Sequence, residues 1–386
     1  MNEAEYDEDL RYCFNVEYYD HNADLIREYQ LMFFPVDNSI EMYDIKQKKI
    51  YLKRVGYPGI QLRDFVIGAT VIIFSRPLLI KSYGDKFTAS KLISKLERAL
   101  LVVRLETNSL LGDLFNFVID HGYTIIQMRS VKFSDQAAQE FLSISYSSED
   151  TNKYKSKLSG GLIYAFTLMK ENCVNSLNSL LGPEDLNQAS INFPDSIRGY
   201  FITDKENGFV HASKNLALAE EEINFMFGSY ANSMFERTAK FKDCTLALIK
   251  PHILKQGLIG EIITAIIKGG YEINDIQLFN LETANATEFL EVYKGLMPTF
   301  MDHVNELISG ASVAMEISHP SMNQEQIVTE FRKFVGPYEP CIGKQIFPMA
   351  IRSVYGYDWV HNALHCTDLP EDGPMESDYF FNILCS

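Results

Sequence analysis

Short apolar runs separated by turn residues fill roughly the first ninety positions of the chain. Residues 29–34 and 40–45 are rich in aromatic and branched side chains, and Asp37-Asn38 lies between them. Residues 69–74 form a third run of this kind, which ends before Pro77. Such runs around an Asp-Asn pair predict β-hairpins. We therefore predict a mostly β module over residues 1–92, with a generic β accessory domain as the alternative.

From residue 93 onward the pattern changes to strands that alternate with helices. Residues 99–103 are uniformly apolar and predict a buried strand, whereas residues 110–119 place apolar side chains at helical spacing. Gly122 is expected to end that helix, and residues 124–126 open the next strand. This order predicts an α+β fold. The part of the chain after residue 92 is expected to form α/β sandwiches of the ferredoxin-like kind, with antiparallel sheets.

The same pattern recurs in the last part of the chain. A strand is predicted at residues 245–249 and a helix at 258–267, closed by Gly269-Gly270. Five coincidences at an offset of 154 residues connect the two parts: Gly336-Pro337 with Gly182-Pro183, Ile351-Arg352 with Ile197-Arg198, His365 with His211, Glu376 with Glu222, and Phe381 with Phe227. Repetition of this kind indicates a duplicated domain. We predict one copy at residues 93–235 and another at 236–386, joined by a short polar link at 230–234.

Composition and charge narrow the functional classes. A formal net charge of −16 argues against general nucleic-acid binding, which depends on Lys and Arg neutralising phosphates. The six cysteines form no C-x-x-C pair, so a reduced intracellular compartment is expected, with neither a zinc site nor a disulfide framework. No apolar run is long enough for a membrane span. The N-terminal acids are expected to form a disordered or partner-ordered tail rather than a signal peptide; they are Glu3, Glu5, Asp7, Glu8 and Asp9.

The segment Asn362-Ala363-Leu364-His365-Cys366-Thr367-Asp368 matches a phosphotransfer signature, N-x-x-H-G/A-S-D. With Lys250-Pro251 and Ile351-Arg352, it makes residues 243–386 resemble nucleoside diphosphate kinases. Residues 17–54 and 65–85 are similar to a DM-ten domain, which implies a pleckstrin-homology-like barrel. A DM-ten module before two kinase copies resembles the tandem members of the kinase family. That resemblance implies a protein of the cytoplasm and cytoskeleton, at the cilium axoneme, with tubulin of axonemal microtubules and the γ-tubulin ring complex as partners.

The kinase resemblance implies a role for each matching residue. His365 would be the nucleophile that accepts the γ-phosphoryl group of a nucleoside triphosphate and passes it to a diphosphate, and Glu376 would orient its ring. A neutral imidazole can attack near pH 7 without a separate base. Nucleotide contacts are implied for Lys250, Tyr293, Arg332, Arg352 and Asn362. Mg²⁺ would arrive on the nucleotide phosphates. His303 and His319 have no such neighbours and are expected on the surface.

Several departures from the family pattern set two hypotheses against each other. Thr299 replaces a base-stacking aromatic residue, residues 293–300 are about two residues short, and Tyr338 replaces a phosphate-contacting threonine. The first copy keeps His211, Arg198 and Glu222 but has lost most of the phosphate cradle: Arg104 for Lys250, Asn178 for Arg332, Gly208 for Asn362 and Ser145 for Tyr293. It is expected to be degenerate. The protein is either a kinase active through its second copy or a structural ciliary protein that reuses kinase folds.

Overall fold

The computed structural model describes residues 10–20, 25–65, 67, 69–74, 76–93, 96–202, 204, 206–296 and 299–385. The predicted acidic tail, residues 3–9, lies outside these ranges. In the described part of the chain, no helix combines the length and apolar character needed to cross a bilayer.

The N-terminal part is an antiparallel six-stranded sheet with the order β4-β3-β2-β1-β6-β5, closed by one helix. Its elements are β1 (Tyr12–Asp20), β2 (Leu25–Phe34), β3 (Ser39–Asp44), β4 (Lys49–Gly56), β5 (Thr70–Ile73), β6 (Arg76–Tyr83) and α1 (Lys86–Ile93). Phe14, Leu31 and Phe33 are fully buried in its core. The predicted hairpin is present, since β2 and β3 pair across a turn at residues 35–38. The expectation of a pleckstrin-homology-like β module is confirmed.

The first copy contains four strands, with helices after each. Its elements are β7 (Leu96–Arg104), α2 (Leu111–Asp120), β8 (Thr124–Lys132), α3 (Asp135–Ser145), α4 (Ser148–Ser159), β9 (Leu162–Glu171), α5 (Cys173–Leu181), α6 (Leu186–Asn192), α7 (Ile197–Phe201), β10 (Phe209–Ala212) and α8 (Leu216–Phe227). All of its strand pairs are antiparallel, as predicted.

The second copy repeats this plan. Its elements follow a short helix, α9 (Ala231–Met234), and are β11 (Cys244–Ile249), α10 (Pro251–Gln256), α11 (Ile259–Lys268), β12 (Glu272–Phe279), α12 (Thr283–Phe289), α13 (Phe300–Leu307), β13 (Ser312–Ser318), α14 (Gln324–Val335), α15 (Pro340–Ile346), α16 (Ile351–Tyr355), β14 (Leu364–Cys366) and α17 (Asp372–Asp378). A π-helical turn at Tyr379–Ile383 follows α17. The polar link is therefore helical, and Ala231 within it is buried.

The two copies share one sheet. Eight strands run in the order β10-β7-β9-β8-β12-β13-β11-β14, and the join lies between β8 and β12. Arg129 of β8 pairs there with Gln277 of β12. These residues are separated by 148 positions, an offset at which Glu140-Phe141-Leu142 also recurs as Glu288-Phe289-Leu290. Each position thus meets its own repeat, which is the signature of a two-fold interface. The predicted intramolecular pseudo-dimer is present in the structure.

Helices α2 and α11 cross next to this join, and glycine permits the crossing. A Cβ added to Gly112 would lie 2.4 Å from the carbonyl oxygen of Gly260, and a Cβ added to Gly260 would lie 2.4 Å from that of Gly112. The two glycines are again 148 residues apart. Neighbouring apolar side chains of both helices, including Phe115 and Ile263, belong to one continuous core. The helices therefore approach at backbone distance.

This arrangement places the two repeated histidines at opposite ends of the sheet. His211 lies on the outer strand β10, opposite Val102 of β7. His365 lies on the outer strand β14, opposite Leu248 of β11. An outer strand has a neighbour on one side only, so loops from the same copy can form a cleft against it.

The glycine crossing predicts an unusual response to alanine. In an exposed helix interior, Gly→Ala would stabilise by about 1 kcal/mol. Gly112→Ala or Gly260→Ala should instead lower the free energy of unfolding by about 1–3 kcal/mol, because the new methyl overpacks the crossing. Urea unfolding of the full chain measures this. Gly56→Ala is the control, since its Cβ meets nothing within 4 Å. Equal stability of the Gly112 variant and the control would show that the helices can separate at no cost.

Candidate active site

His365 lies in a partly covered cleft of the second copy and is 8% exposed. Its strand, β14, is only three residues long and is held by pairing with β11. The ring is packed edge-on against Phe289, with centroids 5.0 Å apart, and Tyr293 lies 6.2 Å away. Two aromatic rings therefore limit how the imidazole can rotate.

Glu376 fixes the state of the ring. The Nε2–H of His365 donates to Glu376 Oε2 at 3.1 Å, and the hydroxyl of Thr367 donates to the same oxygen at 2.8 Å. A carboxylate only accepts, so the proton of a neutral ring must be on Nε2. Nδ1 then carries a lone pair, and among the described residues it has no hydrogen-bond partner. The predicted pair of His365 and Glu376 is thus present, and it leaves Nδ1 as the ring nitrogen with an unused lone pair.

Asp368 connects two of the predicted nucleotide contacts. The hydroxyl of Tyr293 donates to Asp368 Oδ2 at 2.6 Å, and a guanidinium nitrogen of Arg332 lies 3.1 Å from Oδ1. Arg332 also donates to the Asp368 carbonyl at 2.8 Å. Burial, followed by the bond to Asp368, raises the pKa of Tyr293, so this phenol stays protonated. The single proton of the Tyr293 hydroxyl is therefore taken up by Asp368, whereas Arg332 keeps further N–H donors beyond its two contacts with Asp368.

Arg352 and Asn362 are buried on the other side of the histidine. Arg352 donates to the carbonyls of Leu364 and Gly336, each at 3.1 Å, and its guanidinium lies 5.3 Å from the centroid of the Tyr338 ring. The amide of Asn362 donates to the Tyr338 carbonyl at 3.2 Å, while its Oδ1 is buried without a partner. An unsatisfied buried acceptor costs about 1–3 kcal/mol. Asn362 is fully buried, so a ligand donor would reach its Oδ1 only after the residues that cover it had moved.

Lys250 is the most unusual cation of the cleft. It directly follows β11, is 5% exposed, and donates to the carbonyl of Val360 at 2.7 Å. Burial, and next the positive charge of Arg352, lowers the pKa of Lys250 to about 7. Near pH 7 the Lys250 side chain is therefore divided between its neutral amine and its charged ammonium form. Its charge then depends on which groups lie beside it. An anion there would restore the proton.

The seven predicted residues therefore lie in one neighbourhood of the second copy: four are bound to each other or to Asp368, and Lys250, Arg352 and Asn362 are buried against nearby backbone. The comparisons with known proteins agree with this geometry. A family model described as nucleoside diphosphate kinase matches residues 97–231 and 243–384, and one described as the nucleoside diphosphate kinase 7 N-terminal PH domain matches residues 6–94. The chain belongs to the nucleoside diphosphate kinase family.

Similarity to individual kinase-family members extends over the whole chain. The chain is 37% identical over 374 residues to nucleoside diphosphate kinase homolog 7 of Rattus norvegicus, and the identity to the Mus musculus protein is the same. Each alignment covers 97% of this chain and 93% of the rodent protein. Thioredoxin domain-containing protein 6 of Xenopus laevis is 29% identical over 70% of this chain and 40% of its own. The β module followed by two kinase copies is thus an organisation shared with the rodent proteins.

The first kinase copy has the same histidine–glutamate pair in a closed state. His211 donates from Nε2 to Glu222 Oε1 at 2.8 Å, as His365 does to Glu376. Its Nδ1, however, lies 2.9 Å from the hydroxyl of Tyr146. Since Nε2 carries the proton, Tyr146 must donate to Nδ1 and occupy its lone pair. His211 is only 1% exposed, so the nucleophilic nitrogen is both capped and covered.

The retained arginine of the first copy, Arg198, keeps its structural contact and also lines a cavity. Arg198 donates to the Gly182 carbonyl, as Arg352 does to Gly336. Arg104, the counterpart of Lys250, instead donates to the carbonyls at the end of α4 at 2.8 and 2.9 Å. Ser145, aligned with Tyr293, donates to Glu222. A cavity of about 250 Å³ remains beside Tyr146, and it is lined by three cations, Lys153, Lys157 and Arg198, as well as by Glu184 and Asp185.

Sequence reasoning missed a buried network next to Lys250, and it was wrong about His303. Glu306 of α13 accepts from His252 Nδ1 at 2.7 Å and lies 3.5 Å from His361. His303 lies on the same inner face of α13 and is 3% exposed, and its ring nitrogens are 3.3 Å from the Tyr338 hydroxyl. Burial, then the charge of Lys250, lowers the pKa of His303 to about 4. The signal was available, because Val304 and Leu307 mark that face as buried.

The donor set suits a magnesium ion that arrives on a nucleotide. The cleft contains three cations and Asp368, whose carboxylate is already bound by Tyr293 and Arg332. No group of His, Cys, Asp and Glu able to hold a metal occurs within the described ranges. Mg²⁺ ordinarily keeps several waters and binds to substrate phosphates with few protein ligands. The phosphates would therefore supply most of its coordination.

The pKa of Lys250 predicts how nucleotide affinity depends on pH. Below about pH 7 the side chain is protonated and attracts phosphate, and above that value the empty site loses the charge. Nucleoside diphosphate affinity, measured by titration calorimetry between about pH 6 and 8, should fall with rising pH relative to Lys250→Arg, which stays charged. The loss should approach about tenfold, the value of a charge-assisted bond.

Comparison with the arginine variant is needed because the phosphate itself ionises near pH 6 and so binds more strongly as the pH rises. A ratio of wild-type to Lys250→Arg affinity that stays constant over this range would contradict the assigned role of Lys250.

Proposed function

We propose that the protein transfers a γ-phosphoryl group from a nucleoside triphosphate to a nucleoside diphosphate through a phosphohistidine at His365. The observation that carries the proposal is the hydrogen bond from His365 Nε2 to Glu376, which leaves Nδ1 open towards the cleft. In the first copy the equivalent nitrogen is capped by Tyr146. Chemistry is therefore confined to the second copy.

The proposed step balances as a displacement at phosphorus. The lone pair on His365 Nδ1 forms an N–P bond, the bond between the γ-phosphorus and its bridging oxygen breaks, and the diphosphate leaves with that electron pair. Glu376 stabilises the positive charge that develops on the ring. Lys250 and Arg332 would supply positive charge to the phosphoryl oxygens, which is the main need of such a reaction, while the Tyr293 hydroxyl holds Asp368 in place. Transfer to a second diphosphate reverses these bond changes.

A second candidate is a catalytically weak or inactive structural protein bound to axonemal doublet microtubules. It is favoured by Thr299, where base–aromatic stacking worth about 1–3 kcal/mol would be lost. Tyr338 also supports it, because its ring lies over Arg352 and engages His303. These contacts would have to rearrange or be shared when a phosphate enters. The two candidates differ in turnover, not in fold.

The β module suggests where the protein acts. Among its described residues, none forms a hydrogen bond or ion pair with His365, Glu376 or the predicted nucleotide contacts, so its retention calls for another role. By resemblance to DM-ten proteins, we propose that it anchors the chain to ciliary microtubules, with tubulin and the γ-tubulin ring complex as partners. The protein would then reside in the cytoplasm and cytoskeleton, at the axoneme.

Phosphoenzyme formation tests the chemistry. Purified full-length protein incubated with labelled ATP and Mg²⁺ should form an acid-labile, alkali-stable label. His365→Ala should remove it, whereas His211→Ala should leave it nearly intact because Tyr146 already blocks that ring. His319→Ala is the control for loss of an unrelated histidine. Label lost in the His211 variant and kept in the His365 variant would invert the assignment. No label on the wild type would favour the structural candidate.

Deletion of residues 1–92 tests the anchor. The truncated protein should keep phosphotransfer, since the cleft is complete without the module, but it should be released from axonemes. Tagged full-length and truncated proteins would be fractionated with isolated cilia under increasing salt. Full retention of the truncated chain on the doublets would show that the kinase copies hold the protein there.

A further inference from the structure

The β module contains a cationic segment in a strongly acidic protein. Residues 45–63 include six cations and no Asp or Glu, whereas the chain as a whole has a formal net charge of −16. The cations are Lys46, Lys48, Lys49, Lys53, Arg54 and Arg63. A single-sign field on one part of a protein attracts the opposite charge and speeds encounter with it.

Five of these six cations lie along one border of the sheet. Lys46 and Lys48 are in the turn between β3 and β4, and the next three lie on β4 itself. β4 is the outermost strand, so among the described elements no strand pairs with its outer side. Ile50 and Tyr51 between the lysines are 52% and 40% exposed. We call residues 46–54 the basic edge.

The charges of the basic edge are largely unused within the fold. Arg54 is bound by Asp37 at 2.9 Å and covers the Phe34 ring at 3.8 Å. The four lysines are exposed and form no ion pair or side-chain hydrogen bond with any described residue. Their charge is therefore free to act on a partner.

Lysine on an outer strand also has a plain structural explanation, because it keeps sheet edges from pairing with other copies. That explanation covers Lys49 and Lys53. It does not cover Lys46 and Lys48, which lie in a turn with no edge to protect. A surface selected only for solubility would mix both signs, whereas five of the nine residues of the basic edge are cations and none is an acid.

We propose that the basic edge docks an extended acidic polypeptide segment of a partner protein. The proposal deepens the anchoring role proposed above by naming the contact surface and the chemistry that it recognises. A peptide is favoured over a membrane because the cations are spaced along a strand with open backbone donors and acceptors, which suits strand addition. Exposed Ile50 and Tyr51 supply apolar contacts between the charges.

The test uses full-length protein and a fluorescein-labelled polyglutamate peptide, followed by anisotropy at about 0.05 M salt. Lys46→Gln, Lys48→Gln, Lys49→Gln and Lys53→Gln combined should weaken binding by about tenfold or more, as expected for several surface contacts of modest strength. The matched control replaces four exposed lysines of the kinase copies, namely Lys132, Lys242, Lys268 and Lys344, with Gln, and so changes the net charge equally. It should bind within about twofold of wild type, and binding by the wild type should fall steeply with salt.

Amide hydrogen exchange locates the contact, and slower exchange on peptide binding is expected within residues 46–56. Equal loss of binding in both quadruple variants would overturn the proposal in favour of non-specific charge attraction, and so would protection located in the kinase copies. Binding to vesicles that contain anionic phospholipid, without binding to polyglutamate, would overturn it in favour of a membrane. None of these readings depends on phosphotransfer or on cilia, so they separate failure of the basic edge from failure of the proposed function.

Discussion

The close approach of α2 and α11 at Gly112 and Gly260 is the contact on which the architecture of the kinase pair depends. Because neither residue has a side chain, the two helices meet at backbone distance. That distance lets β8 and β12 come within pairing range and turns two four-stranded sheets into one. With the centre fixed in this way, β10 and β14 become the outer strands of a single sheet, and their histidines point into clefts far from each other.

The two histidines differ in whether the lone pair on Nδ1 is already bound by a hydrogen-bond donor. Both copies hold the histidine by a glutamate on Nε2, so both define the same tautomer. In the first copy, the phenol of Tyr146 takes the lone pair on Nδ1, and burial raises the pKa of that phenol so that it remains a donor. An atom that accepts a hydrogen bond from a buried donor is a poor nucleophile. The loss of the phosphate cradle and the capping of the ring are thus consistent with one another.

Much of this could be predicted from the sequence, because the periodic patterns are long and the repeat reinforces them. The β module, the antiparallel sheets and the pairing of the copies are confirmed, and the predicted pair of His365 and Glu376 is present. Contacts made by side chains without a motif could not be predicted. Tyr146 lies one position beyond Ser145, the residue aligned with Tyr293, and only the fold shows that its hydroxyl reaches the ring. His303 was placed on the surface because its lack of motif neighbours was given more weight than the apolar face of α13.

The pairing of Arg129 with Gln277 has a consequence for how the two copies recognise each other. In a dimer of identical chains, a residue at the two-fold axis meets itself, so an arginine there would face an arginine, and like charges directly opposed destabilise a sheet. Joining the copies in one chain removes that requirement, and the two sides of the axis have become different. Here the arginine is partly buried, donates to the Met226 carbonyl at 3.3 Å and lies 5.6 Å from the Phe235 ring. Two first copies brought together would place two such guanidinium groups against each other. The interface therefore favours the pairing of a first copy with a second copy over the pairing of two first copies. Separating the two copies into independent chains would lose this preference.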